Sequence, residues 1–245
     1  MKGGTLAAAV LATAAVAGCS LSGSPATAGG TGRPTTGGPH PAASAQPFPA
    51  AENARRGTAG WYIHDLGAPD AIEGYADRVS VLPGQSFRLF VSTTSPRFRV
   101  QAFRMGWYHG RRARQVWRSG EVKGRAQPRP TIAKGTRMVS TRWRPSLTVP
   151  TTGWPEGAYL LRLDASRGPE RYVPVTVRSA TTAGKVVLVM GVTTWQAYNL
   201  WGGYSLYDGP SGTAGRSYAV SFDRPYEQNG ASLFTVFDEP PLALA

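Results

Sequence analysis

The stretch Phe98-Arg99-Val100-Gln101-Ala102-Phe103-Arg104-Met105 alternates apolar residues with Arg or Gln. Successive side chains of an extended chain point to opposite faces, so a period of two marks a strand with one face buried. The same pattern continues on both sides. Upstream lie Phe87-Arg88-Leu89-Phe90-Val91 and, before the turn Pro83-Gly84, Val79-Ser80-Val81. Downstream come Arg114–Arg118, Met138–Trp143, Leu147-Thr148-Val149, Tyr159–Leu163 and Tyr172–Val177. Turn signals separate them at Pro128–Pro130, Gly153-Trp154-Pro155 and Arg167-Gly168-Pro169. Short strands at this spacing, with no helical period, predict a mainly β fold: an antiparallel, Ig-like β-sandwich over residues 60–180. Trp143 and Trp154 are expected in its core.

Near residue 183 the pattern changes. Lys185-Val186-Val187-Leu188-Val189-Met190 is a continuous apolar run before Gly191, as expected of a parallel strand covered on both faces. Trp195, Tyr198 and Trp201 then recur three apart, a helical spacing. Strand, glycine turn and helix make the first unit of an α/β, parallel-sheet domain, whose functional groups gather at the carboxyl ends of the strands. Here that position holds Val192 to Tyr198. Residues 184–245 are too few for a doubly wound sheet. They read as the N-terminal part of an incomplete domain, so the chain is expected to be the front of a longer protein or a truncated one.

Before the sandwich the sequence is not globular. A single lysine, Lys2, precedes an apolar run from Leu6 to Ala17, too short to cross a bilayer. The segment Val16-Ala17-Gly18-Cys19 has the form of a lipobox, so residues 1–18 read as a lipoprotein signal peptide and Cys19 as the lipidation site. Residues 19–58, rich in Gly, Pro, Ala, Ser and Thr, read as a disordered tether. The expected location is the extracytoplasmic face of the cell membrane, held by lipid. Cys19 is the only cysteine, which excludes a disulfide framework, a thiolate metal site and a cysteine nucleophile.

The formal net charge of +13 is placed unevenly: residues 60–178 carry 20 Lys/Arg against 8 Asp/Glu. For an exported module such a balance fits a solvated surface, or attraction to anionic lipid or cell-wall polymer. Export argues against nucleic acid as the partner.

Standard catalytic patterns are missing. The sequence has no Gly-x-Ser-x-Gly elbow, no Walker loop and no Cys/His zinc spacing, and His64 and His109 read as surface or packing residues. The dense region is Trp195–Asp208 followed by Ser221-Phe222-Asp223-Arg224-Pro225-Tyr226, where tyrosines, acids and amides sit beside flexible glycines. Taken alone it is equally an aromatic packing layer.

Val192–Asn199, Ser205-Leu206-Tyr207-Asp208 and Ser221–Tyr226, together with Ile72-Glu73-Gly74-Tyr75 and Arg104–Tyr108 upstream, resemble the N,N-dimethylformamidase large-subunit-like family over roughly residues 61–245. The resemblance implies hydrolysis of an amide C–N bond at a mononuclear iron held by two tyrosines and a glutamate. Hard, anionic oxygen donors suit a ferric ion. Tyr198 matches the first tyrosine by motif and Tyr207 is taken as the second, with Tyr226 the competitor. Asn199 and Asp208 are candidate orienting residues around these ligands. Glu227 and Glu239 are acids at hand, but neither sits in a matching motif. With two of three ligands, the chain alone is expected to be inactive. The alternative reading is a non-catalytic surface module that binds through its basic sandwich. Substrate, catalytic acid or base, and oligomeric state stay unassigned.

Overall fold

The structure, a computed structural model, describes residues 48–244 of the chain. The signal segment, Cys19 and the tether as far as residue 47 lie outside the described residues.

Eleven strands precede residue 178. Ile72–Ala76 (β1), Ser86–Thr93 (β3) and Leu147–Pro150 (β9) form a three-stranded antiparallel sheet in the order β1-β3-β9. The larger sheet runs β2-β11-β10-β4-β5, built from Ser80–Val81, Glu170–Val177, Gly157–Ala165, Arg97–Met105 and Ala113–Arg118. Val122–Lys123 (β6) also pairs with β4. Every ladder in it is antiparallel except the short β2–β11 pair. A small hairpin, Thr131–Ile132 (β7) with Val139–Ser140 (β8), stands apart from both sheets.

The expected mainly β sandwich is therefore present, and the stretch that opened the sequence reading is β4. Its Phe98, Val100 and Ala102 enter the core between the sheets, where Ile72, Leu89 and Val91 meet Leu161, Leu163 and Trp154. Each large aliphatic or phenyl side chain among them, fully buried, contributes roughly 1.5–3 kcal/mol. Trp143 is buried too, but outside that core. It packs with Tyr75, Phe90 and Trp201 over the other face of β1 and β3.

The larger sheet is buried on both faces. Phe103, Met105, Leu160 and Tyr172 point away from the sandwich core and are covered by Trp61, Trp195, Ala231 and Phe234. Helix Val192–Tyr198 and residues 226–242 thus pack as a second layer on this sheet, while Trp201 turns to the smaller one. Burial on both faces explains β10, whose Ala158–Leu163 is buried without alternation. Within it Arg162 is held by Asp164 (2.6 Å) and Glu170 (3.3 Å).

Three expectations need correction. The tether does not extend to residue 58: Phe48–Asn53 is a helix (α1) and Ala59–Trp61 a single 3-10 turn. The reason is Glu52, buried against Tyr108 Oη (2.9 Å) and Arg114 Nε (2.8 Å). Lys185–Met190 forms no strand; Val186 is 102% and Val189 80% exposed. An apolar run becomes a strand only where another strand offers backbone partners, and among the described residues none does. The parallel sheet expected beyond residue 184 is accordingly absent among the described residues, although the helix after Gly191 is present as Val192–Tyr198 (α2). No helix among the described residues is long and apolar enough to cross a membrane.

Candidate functional site

The last turn of α2 carries Tyr198, and the loop that follows returns beside it. Leu206 N–H donates to the Ala197 carbonyl (2.9 Å), laying the returning chain along the end of the helix. Ser205 Oγ accepts from Tyr207 N–H (3.1 Å) and Asp208 N–H (2.9 Å), so a buried hydroxyl shapes the turn that carries Tyr207. Gly202, at φ +80°, lets this loop approach β8: a Cβ there would lie 2.5 Å from Val139 Cγ1. Trp201 ties it to β1 through Nε1, which donates to Glu73 Oε2 (2.6 Å).

As a result Tyr198 and Tyr207 stack, with ring centroids 4.3 Å apart and planes 17° from parallel. Both are about half exposed, at 49% and 51%. Hydrogen bonding to the Tyr207 phenol, then repulsion between the two phenolates, raises Tyr198 above its ordinary pKa. Two phenol rings are thus presented side by side at the surface. Ionising both is costly unless a cation neutralises them.

Behind the end of α2 lies a residue the sequence reading passed over. Arg224 is wholly buried. Its Nη2 donates to the carbonyls of Gln196 and Asn199 (both 3.1 Å), its Nη1 to those of Trp201 (3.1 Å) and Tyr204 (2.9 Å), and its Nε to Gln196 Oε1 (3.2 Å). The carbonyls ending a helix have no partner within it, and a guanidinium satisfies several at once. Burial pulls its pKa down to about 10, still protonated at neutral pH. The signal was its place in Asp223-Arg224-Pro225-Tyr226, but sequence gives no sign that the charge is interior.

The other expected residues fall in different places. Asn199 is buried and holds the knot together: Nδ2 donates to Pro225 O (2.8 Å), while Oδ1 accepts from Trp201 N–H (3.1 Å) and Glu227 N–H (3.0 Å). Asp208 is exposed, and its Oδ1 accepts from Gly209 N–H (2.8 Å). Tyr226 lies edge-on to Trp195, and burial drives its pKa well above the ordinary range. Glu227 is raised by burial and accepts from Leu200 N–H. Glu239 is buried in an ion pair with Arg112, whose Nε lies 2.7 Å from it. His64 and His109 are exposed, and His109 sits in the turn Tyr108–Gly110. Among the described residues no group of three His, Cys, Asp or Glu is placed to hold a metal ion. The hard oxygen donors exposed at this rim are the two phenols of Tyr198 and Tyr207.

The chain is a β-sandwich with a helix (α2) packed on its larger sheet and a following loop tied to β1 and β8. Residues 99–243, more than half of the chain, match the family described as N,N-dimethylformamidase beta subunit-like, C-terminal, and the chain belongs to that family. No curated protein matches it. The matched segment runs from β4 to the C-terminal helix Glu239–Leu244 (α3), so it holds β4, β5, β10 and β11 of the larger sheet together with both tyrosines, while β1, β2 and β3 precede it.

Proposed function

We propose that this protein is an exported, lipid-anchored, N,N-dimethylformamidase-like protein in which Tyr198 and Tyr207 supply two phenolate oxygens to an iron centre for amide C–N hydrolysis. The observation that carries the reading is the 4.3 Å stack of these two rings at the solvent-facing rim. A ferric ion in such a site would act as a Lewis acid on an amide carbonyl. The chain's own part is positional. Arg224 and Asn199 fix the end of α2, and Ser205 fixes the turn at Tyr207, so the two phenols are held side by side. Among the described residues, the glutamate that the family likeness adds to the ligand set has no assigned position. Hydrolysis by this chain therefore awaits a further donor, and the chain alone binds iron without turning over an amide.

The test is ferric titration of the purified chain, read by phenolate-to-iron charge-transfer absorption. A saturable band at one iron per chain, lost in both Tyr198→Phe and Tyr207→Phe, is the expected result. Retention of the band in either variant, or none in the wild type, overturns the assignment. Anchoring is tested separately by fatty-acid labelling, which Cys19→Ala should abolish.

A further inference from the structure

Residues 122–155 contain no Asp or Glu, yet carry Lys123, Arg125, Arg129, Lys134, Arg142 and Arg144, all exposed, and Arg137. In the fold they are not spread out. The chain leaves β6, turns at Lys134-Gly135-Thr136, where Thr136 O accepts from Tyr218 N–H (2.8 Å), and returns to β9 as a two-armed ribbon. Three sets of cross-links hold the arms together. Gln127 exchanges side-chain bonds with the backbone of Arg144 (Nε2 to O 2.8 Å, N to Oε1 3.2 Å), Trp143 Nε1 donates to Pro128 O (2.9 Å), and β7 pairs with β8. Arg125 and Arg129 on one arm therefore flank Arg142 and Arg144 on the other.

The ribbon is fixed to the body by Thr93 N–H to Arg125 O (3.0 Å), by buried Trp143 and by Thr141 N–H to Asp223 O (2.8 Å). Arg137 is engaged inward, with the carbonyls of Ala214 (3.1 Å) and Arg216 (3.0 Å). Of the nearest acids in sequence, Glu121 is taken by Arg97 (2.8 Å) and Arg99 (3.2 Å). The remaining cations of this stretch are exposed, as is Ile132 (49%) on β7 near the ribbon's tip.

We infer that this ribbon is a docking surface for a bilayer rich in anionic phospholipid. Guanidinium groups match phosphate oxygens two at a time, and cations close to an anionic leaflet each contribute attraction. An exposed Ile among them gains by entering the headgroup boundary, which a soluble polyanion does not provide. The pinned arms present the cations without a large ordering cost on contact. The surface is independent of the tyrosine pair, so it stands or falls separately from the iron site.

The experiment uses the full chain carrying Cys19→Ala, so that no lipid is attached, in co-sedimentation with vesicles. Binding to phosphatidylglycerol-containing vesicles should exceed binding to pure phosphatidylcholine, which reports any contribution of the apolar leader, and should weaken with salt. Replacing Arg125, Arg129, Arg142 and Arg144 by Gln should weaken anionic-vesicle affinity roughly a hundredfold or more, on about 1 kcal/mol per cation. Ile132→Ser should weaken it less. Arg129→Glu alone, at an exposed position, provides the same reading with one change. Affinity unchanged in folded variants overturns the inference, as does tight binding to soluble polyphosphate without preference for anionic vesicles.

Discussion

Arg224 Nη2 donates to the Asn199 carbonyl at 3.1 Å, placing a buried positive charge against the end of the helix that carries Tyr198. Among the described residues no carboxylate lies within ion-pair distance of it, so backbone carbonyls do the work of a counter-charge. Removing it would leave several interior carbonyls without donors. Arg224→Ala is expected to cost about 3–5 kcal/mol, the scale for breaking a buried charged network. Arg224→Lys should be nearly as damaging, because a single ammonium cannot reach the same carbonyls in their directions. Thermal denaturation reads both, and a melting midpoint unmoved by Arg224→Lys would show that the fork geometry is not needed.

The tyrosine pair behaves oppositely. Both rings are half in water, so Tyr198→Phe and Tyr207→Phe should leave the melting midpoint in place, and Tyr207→Phe should change the titration of Tyr198. With Tyr207 present, the Tyr198 phenol ionises above its ordinary value. In Tyr207→Phe that cause is gone and its ionisation should move down in pH. Ultraviolet phenolate difference spectra of the two proteins check this, and identical titrations would mean that the stacked rings do not interact through their hydroxyls.

Glu52 fastens α1 to the sandwich by accepting from Tyr108 and Arg114, and it also lies in an ion pair with Arg55 (3.2 Å). It is 3% exposed, and Arg114 is largely covered as well. Glu52→Ala strands that guanidinium, at a cost of about 3–5 kcal/mol for a broken buried pair. It should also release the segment, so that trypsin cuts after Arg55 or Arg56 in the variant far faster than in the wild type. Equal cleavage rates would show that packing of Phe48 on Arg104 is sufficient to hold it.

Glu73 gives a pH dependence of defined sign. Burial raises its pKa, more than the Trp201 hydrogen bond lowers it. The folded state therefore holds this proton more tightly than the unfolded chain. Its contribution is full below the unfolded value of about 4.3 and is lost as pH rises through the higher folded value. Glu73→Gln keeps an acceptor for Trp201 and removes the titration. Relative to wild type, the variant should gain stability as pH rises from about 4 toward neutrality, measured by denaturant midpoints, and a difference constant with pH would refute it.

The sandwich was legible because its signal is local. Alternation in β4 and along Phe87–Val91 states which side chains share a face, and turn residues state where strands end. The strand at Ile72–Ala76 was not read as one, because Glu73 and Gly74 break the pattern. The structure shows Glu73 satisfied by Trp201, 128 positions away. The family motif brought Tyr198 and Tyr207 to attention, but spacing alone could not show that a loop folds one ring onto the other.

From its own order of residues this protein fixed the period-two strands, the turns between them, the single cysteine and the run of arginines without acids. Each depends on neighbours a few positions apart. Tertiary structure alone decided that the larger sheet is covered on both faces, that Lys185–Met190 stays unpaired, and that Arg224 lies inside, behind the helix end that displays an exposed tyrosine. A sequence records which groups favour burial or a partner. Which surface covers them, and which backbone completes their hydrogen bonds, is settled only when distant segments meet.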